Sequence, residues 1–120
     1  MEASMTIVEQ RVADVTILRL KGRLELDEGD VMLRDHVNRL AIEGRVQLLI
    51  DLKDVTRMDS AGIDMLAGKF MTVRRQGGTM RLLHLTDRTG RLMHITRLET
   101  IFEIFHHEDE ALRSSGVTRS

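Results

Sequence analysis

Residues 46–52 read Val-Gln-Leu-Leu-Ile-Asp-Leu, an almost unbroken apolar run. Seven residues is strand length, and a strand without polar alternation has to be covered on both faces. An amphipathic helix follows, with Ile63, Leu66, Ala67, Phe70 and Val73 on one face, and it ends at Gly77-Gly78. The same alternation extends along the chain. β-rich runs at 6–12 and 15–20 flank Ala13-Asp14 and predict a hairpin. A helix is expected to start within 27–30, to bury Leu33, Val37, Leu40 and Ala41, and to stop at Gly44. A strand at 80–85, a short helix capped by Thr86 or Asp87 and running to Ile95, a strand at 102–105 and a last helical turn or two at 108–113 complete the order. Strand–helix–strand succession after an opening hairpin predicts an α/β fold: a small mixed sheet with parallel crossovers and helices packed largely on one side. The expected organisation is a single domain over 1–113 with a flexible tail over 114–120.

Composition narrows the function. The net charge of −1 and the scattered arginines argue against a nucleic-acid partner, which normally meets a basic stripe. Without cysteine there is no disulfide or thiolate chemistry. The three aromatic residues are all Phe, so the core must be aliphatic and rich in Met. No apolar run approaches the ~20 residues that span a bilayer, and the first five residues lack the marks of a signal peptide, so a cytoplasmic protein with no membrane association is expected.

The junction Met58-Asp59-Ser60-Ala61-Gly62 joins the apolar strand to its helix. A serine there is placed to cap the helix, and the same position suits a phosphate, which first-turn amides and the positive end of the dipole favour. Catalysis by Ser60 is not expected, because the glycine that precedes the serine in a nucleophile elbow is missing. His106-His107 would point to opposite sides of a strand, and His36, His84 and His94 lack ligand spacing, so no metal is expected. Gly77-Gly78 follows a helix rather than a strand and is a helix stop, not a phosphate cradle. The methionines at 58, 65, 71, 80 and 93 read mainly as core filler. Asp51 and Asp54 are expected on the loop before Ser60, where with Asp59 and Asp64 they would make an acidic docking surface.

The segment 51–62, Asp-Leu-Lys-Asp-Val-Thr-Arg-Met-Asp-Ser-Ala-Gly, resembles the signature of bacterial anti-sigma factor antagonists, the STAS-domain family. Gly22-Arg23-Leu24-Glu25, Arg74-Arg75-Gln76-Gly77-Gly78 and the segment 91–98 extend the likeness over nearly the whole chain. The resemblance implies a STAS-like mixed sheet, phosphorylation at Ser60, and a partner surface of Asp59, Ser60, Ala61, Gly62, Asp64, Glu25 and Arg23. It also implies a binding protein rather than an enzyme, with no cofactor of its own. Unphosphorylated, such a protein binds an anti-sigma factor that is also a serine protein kinase and so releases the sigma factor. The kinase phosphorylates and ejects it, and a serine phosphatase restores it. The alternative within the family is a scaffold or an accessory subunit of a signalling or transport complex, without the switch. The chain departs from the common pattern at Arg23, at Glu25 where an Asp is usual, at Ala61 and at Asp64. A monomer is expected, since no strong exposed apolar stripe is evident.

Overall fold

β1 (Met5–Val12) and β2 (Val15–Leu24) form the antiparallel hairpin, with Val12 opposite Val15 and Ala13 in the left-handed region at φ 52°. Two-residue hairpin turns require such positive φ because their twist must match that of the strands. The computed structural model describes residues 5–117. Residues 1–4, where the absence of a signal peptide was read, and residues 118–120 of the expected tail lie outside the described residues.

The chain then alternates: α1 (Gly29–Ile42), β3 (Gln47–Met58), α2 (Ser60–Arg75), β4 (Thr79–Leu83), α3 (Asp87–Ile95), a 3-10 turn (Leu98–Thr100), β5 (Ile104–Phe105) and α4 (Glu108–Ser114). The sheet order is β1-β2-β3-β4-β5, and β2 through β5 are parallel. Each crossover advances one strand in the same direction. Right-handed crossovers of that kind put their helices on one face. Leu33, Val37 and Leu40 of α1, Ile63, Leu66 and Val73 of α2 and Met93 of α3 accordingly share a core with Leu18, Leu20, Leu48, Ile50, Leu52 and Leu82 of the sheet. α4 covers the other face, where Ala111 and Leu112 meet Val15, Ile17, Leu49 and Leu83. The expected layering holds, with α4 as the element on the far side.

β3 is longer than the apolar run suggests. Past Leu52 it continues alongside β2, with Lys21 opposite Asp54, Gly22 opposite Val55, Arg23 opposite Arg57 and Leu24 opposite Met58. The register shifts twice on the way, between Arg19 and Lys21 and between Gly22 and Arg23. Asp54 therefore stands on the strand and not on a loop, a correction to the sequence reading, and Asp51 stays within the strand run that contains it. Lys53-Asp54 and Thr56-Arg57 are exposed, whereas Val55 is buried in the core and Met58 packs against it. Phe102 is not in a strand either. It is buried, with its ring edge-on to Phe70 at 4.9 Å between centroids.

The helix stops at Gly44 and Gly77 are as expected. Both glycines have positive φ, and the amides after α1 return to its last turn (Gly44 to Ala41, 3.1 Å; Arg45 to Leu40, 2.8 Å). α4 closes the same way at Gly116, with Val117 donating to Leu112 and packing on the second core.

Candidate functional site

Asp59, and not Ser60, caps α2. Its Oδ1 accepts the Gly62 amide at 3.1 Å, and its Oδ2 accepts the amide of Leu26 at 3.0 Å. One carboxylate therefore closes the helix and ties it to the loop between β2 and α1. The Leu26 amide holds the Asp59 carboxyl below its ordinary pKa; desolvation opposes it, and the Gly62 amide adds a smaller lowering effect. The shorter serine hydroxyl is displaced from the cap because Ser60 is already the first helical residue.

Ser60 is exposed, and its hydroxyl has no hydrogen-bond partner among the described residues. Ala61 is half-buried, Gly62 buried and Asp64 exposed one turn further on. Gly62 is required by the close approach of α2 to the end of β2: a Cβ there would lie 2.4 Å from the Leu24 carbonyl oxygen. Gly29 does the same for α1, where a Cβ would lie 2.1 Å from the Arg23 carbonyl oxygen. Two glycines thus seat two helix starts on the Arg23-Leu24 backbone. The sequence reading put a helix start within 27–30, which contains Gly29, without a packing role for it; the signal was a glycine in a helix's first turn, where it is costly without a packing reason.

Glu25 lies between two cations, with Arg23 Nε at 3.8 Å and Arg57 Nε at 3.4 Å. These exposed pairs add little stability but order the rim. Arg57 was not anticipated as part of the site. On the α3 side, Met58, Asp87, Arg88, Arg91, Leu92 and Ile95 line a cavity of about 450 Å³. Leu26 and Ile95 are 62% and 69% exposed, high for large apolar residues. Of the predicted residues, Asp59 to Gly62 and Asp64 share the start of α2, and the Leu26 amide brings Glu25 and Arg23 to the same rim. Asp51 and Asp54 are not part of it.

The arrangement leaves the Ser60 hydroxyl accessible to a partner or to a modification. Among the described residues His36 is bonded to Glu9 (2.7 Å), His84 to Asp51 (3.2 Å) and His94 to Glu99 (2.7 Å), and none of the three is hydrogen-bonded to Ser60. Among the described residues no helix is long and apolar enough to cross a membrane.

Comparison with known proteins adds to this geometry. The STAS domain family matches residues 6–111. The chain is 37% identical over 97 residues to the anti-sigma-B factor antagonist of Bacillus subtilis, covering 81% of this chain and 86% of that one. An anti-sigma factor antagonist from Mycobacterium paratuberculosis superposes with a TM-score of 0.81 at 23% identity, covering 95% and 96% of the two chains. The unphosphorylated form of the anti-sigma factor antagonist SpoIIAA gives 0.80 at 18% identity, covering 95% and 100%.

Proposed function

This chain belongs to the STAS-domain family, and from that premise we propose that it is a cytoplasmic anti-sigma factor antagonist gated by phosphorylation of Ser60. The observation that carries the reading is the free, exposed Ser60 hydroxyl at the first position of α2, in a chain that matches an anti-sigma factor antagonist over 81% of its length. SpoIIAA, which has the same fold, has been described in phosphorylated and unphosphorylated forms. The partner would be an anti-sigma factor acting as a serine protein kinase, with a serine phosphatase reversing the mark, and the antagonist itself acting as a monomer.

The physics of such a switch follows from position. A phosphate adds a charge of about −1.5 to −2. At the start of α2 the dipole favours that charge, and Asp59 rather than Ser60 holds the cap, so the domain need not unfold. The phosphate acts on the contact instead. It enlarges Ser60 and adds charge to a rim that already carries Glu25, Asp59 and Asp64. A close like-charge contact near a surface costs on the order of 1–4 kcal/mol, about ten- to a thousandfold in affinity.

The test is binding to the kinase that co-purifies from native cells under phosphatase inhibition. Ser60→Ala is expected to bind as the unmodified protein does and Ser60→Asp at least tenfold more weakly. Mass spectrometry should find phosphate on Ser60. Equal affinities for the two variants, or an unmodified Ser60 in a large stable assembly, would favour the scaffold alternative.

A further inference from the structure

The back of the sheet beyond the reach of α4 carries charge that the fold leaves unmatched. Lys21 and Lys53 follow Leu20 and Leu52, which are buried against the helices, so the two lysines leave the sheet on the opposite side, and both are exposed. Neither ammonium group has a hydrogen-bond or ion-pair partner among the described residues. Two positions earlier on the same strands, Arg19 and Asp51 are paired at 3.0 Å. Lys21, Lys53 and Arg88 of α3 line one cavity of about 550 Å³, with Gly22, Asp54, Val55, Thr56 and Thr86. Three cations from three elements face a single carboxylate there, in a chain whose net charge is −1.

The walls are held in place. Arg88 donates to the Thr56 carbonyl at 3.3 Å, and the Thr56 hydroxyl donates to the Gly22 carbonyl at 3.1 Å. The Lys53 amide donates to Asp51 Oδ1 at 3.1 Å, which fixes the backbone at the first register shift. α3 begins at this cavity with Thr86 as its cap, and Asp87 in its first turn offsets part of the positive end of the helix. A concavity lined mainly by one sign of charge concentrates the opposite ion. The cavity is open to solvent, which suits a small, strongly hydrated ligand rather than one that must be enclosed. The lining has no aromatic ring to stack a base and no carboxamide to read one. What it can recognise is clustered negative charge.

We propose that this cavity binds a small soluble polyanion of the pyrophosphate class through Lys21, Lys53 and Arg88. Arg88 also lines the cavity beside Met58, whereas Lys21 and Lys53 lie apart from the Ser60 surface, so the lysine variants test this site separately from the switch.

The experiment is an amide NMR titration of the full chain with sodium pyrophosphate at constant ionic strength, with inorganic phosphate and sodium chloride in parallel. Saturable shifts confined to residues 21–22, 53–56 and 86–88 are expected, with pyrophosphate binding more tightly than phosphate. Lys21→Gln/Lys53→Gln should weaken binding at least tenfold, as loss of charge-assisted contacts implies. Arg88→Gln gives a second reading should the double variant fold poorly. Non-saturating shifts, equal effects of chloride, no preference for pyrophosphate, or double-variant affinity within twofold of the parent would each overturn the proposal.

Discussion

Asp59 does more at the residue scale than the serine beside it. Two backbone amides 36 residues apart in sequence, those of Leu26 and Gly62, share its carboxylate. Replacing it with Ala should cost about 1–2 kcal/mol, as loss of a helix cap does, and should loosen the Leu26 loop. The pH dependence has a definite sign. The folded-state pKa lies below the ordinary value, so the stabilisation is complete above that value and is lost as pH falls through the depressed one. Urea midpoints of the parent and of Asp59→Ala should therefore differ most near neutrality and converge in acid. A gap independent of pH would show that packing, not the ionised carboxylate, matters here. Glu9 is also held low, first by its bond to His36, but it is common to both proteins and cancels in the difference.

The element scale is governed by two helix starts on one piece of backbone. α1 and α2 both approach the end of β2 more closely than any residue with a Cβ permits. Gly62→Ala puts a methyl against the Leu24 carbonyl oxygen, which cannot move without shifting the strand. Overpacking of this kind costs about 1–3 kcal/mol. Gly68 lies on the same helix with nothing within 4 Å of the position a Cβ would take. Gly68→Ala should be neutral or stabilising by up to about 1 kcal/mol, since alanine is the better helix former. Thermal melts of the two variants separate close approach from propensity. If both shift upward, the tight seat is not needed.

Over the whole molecule, the second core decides whether the sheet is covered. α4 is only seven residues long, yet Ala111 and Leu112 are buried on Val15, Ile17, Leu49 and Leu83. Side chains fasten the element at both ends: Arg19 bridges Asp51 and Glu108, and Arg81 donates to the Ser115 hydroxyl. Leu112→Ala should cost about 2–4 kcal/mol by chemical denaturation, as buried leucines do. Ile42 is 88% exposed, so Ile42→Ala should stay within about 0.5 kcal/mol. Equal small losses would mean that α4 is an appendage rather than part of the fold.

Local periodicity was enough to place the strands and helices. The three-to-four spacing of Leu33, Val37 and Leu40, and of Ile63, Leu66 and Val73, names the buried face of each helix without reference to anything distant. The apolar run before Met58 and the glycines at 44 and 77 are equally local signals, and so is the Asp-Ser junction. Pairing between distant segments is not local. The polar residues 53–58 look like loop and become strand because β2 supplies hydrogen-bond partners more than thirty residues away. Asp59 takes the cap from Ser60 because the Leu26 amide is there to hold it, and Gly29 matters only because Arg23 comes within contact distance. The short element at 108–113 could be read as helix, but its place behind the sheet could not, since nothing in its own sequence says which face it will cover. Patterns along the chain record what each segment must bury, whereas register, backbone approach and unmatched charge arise only when segments meet.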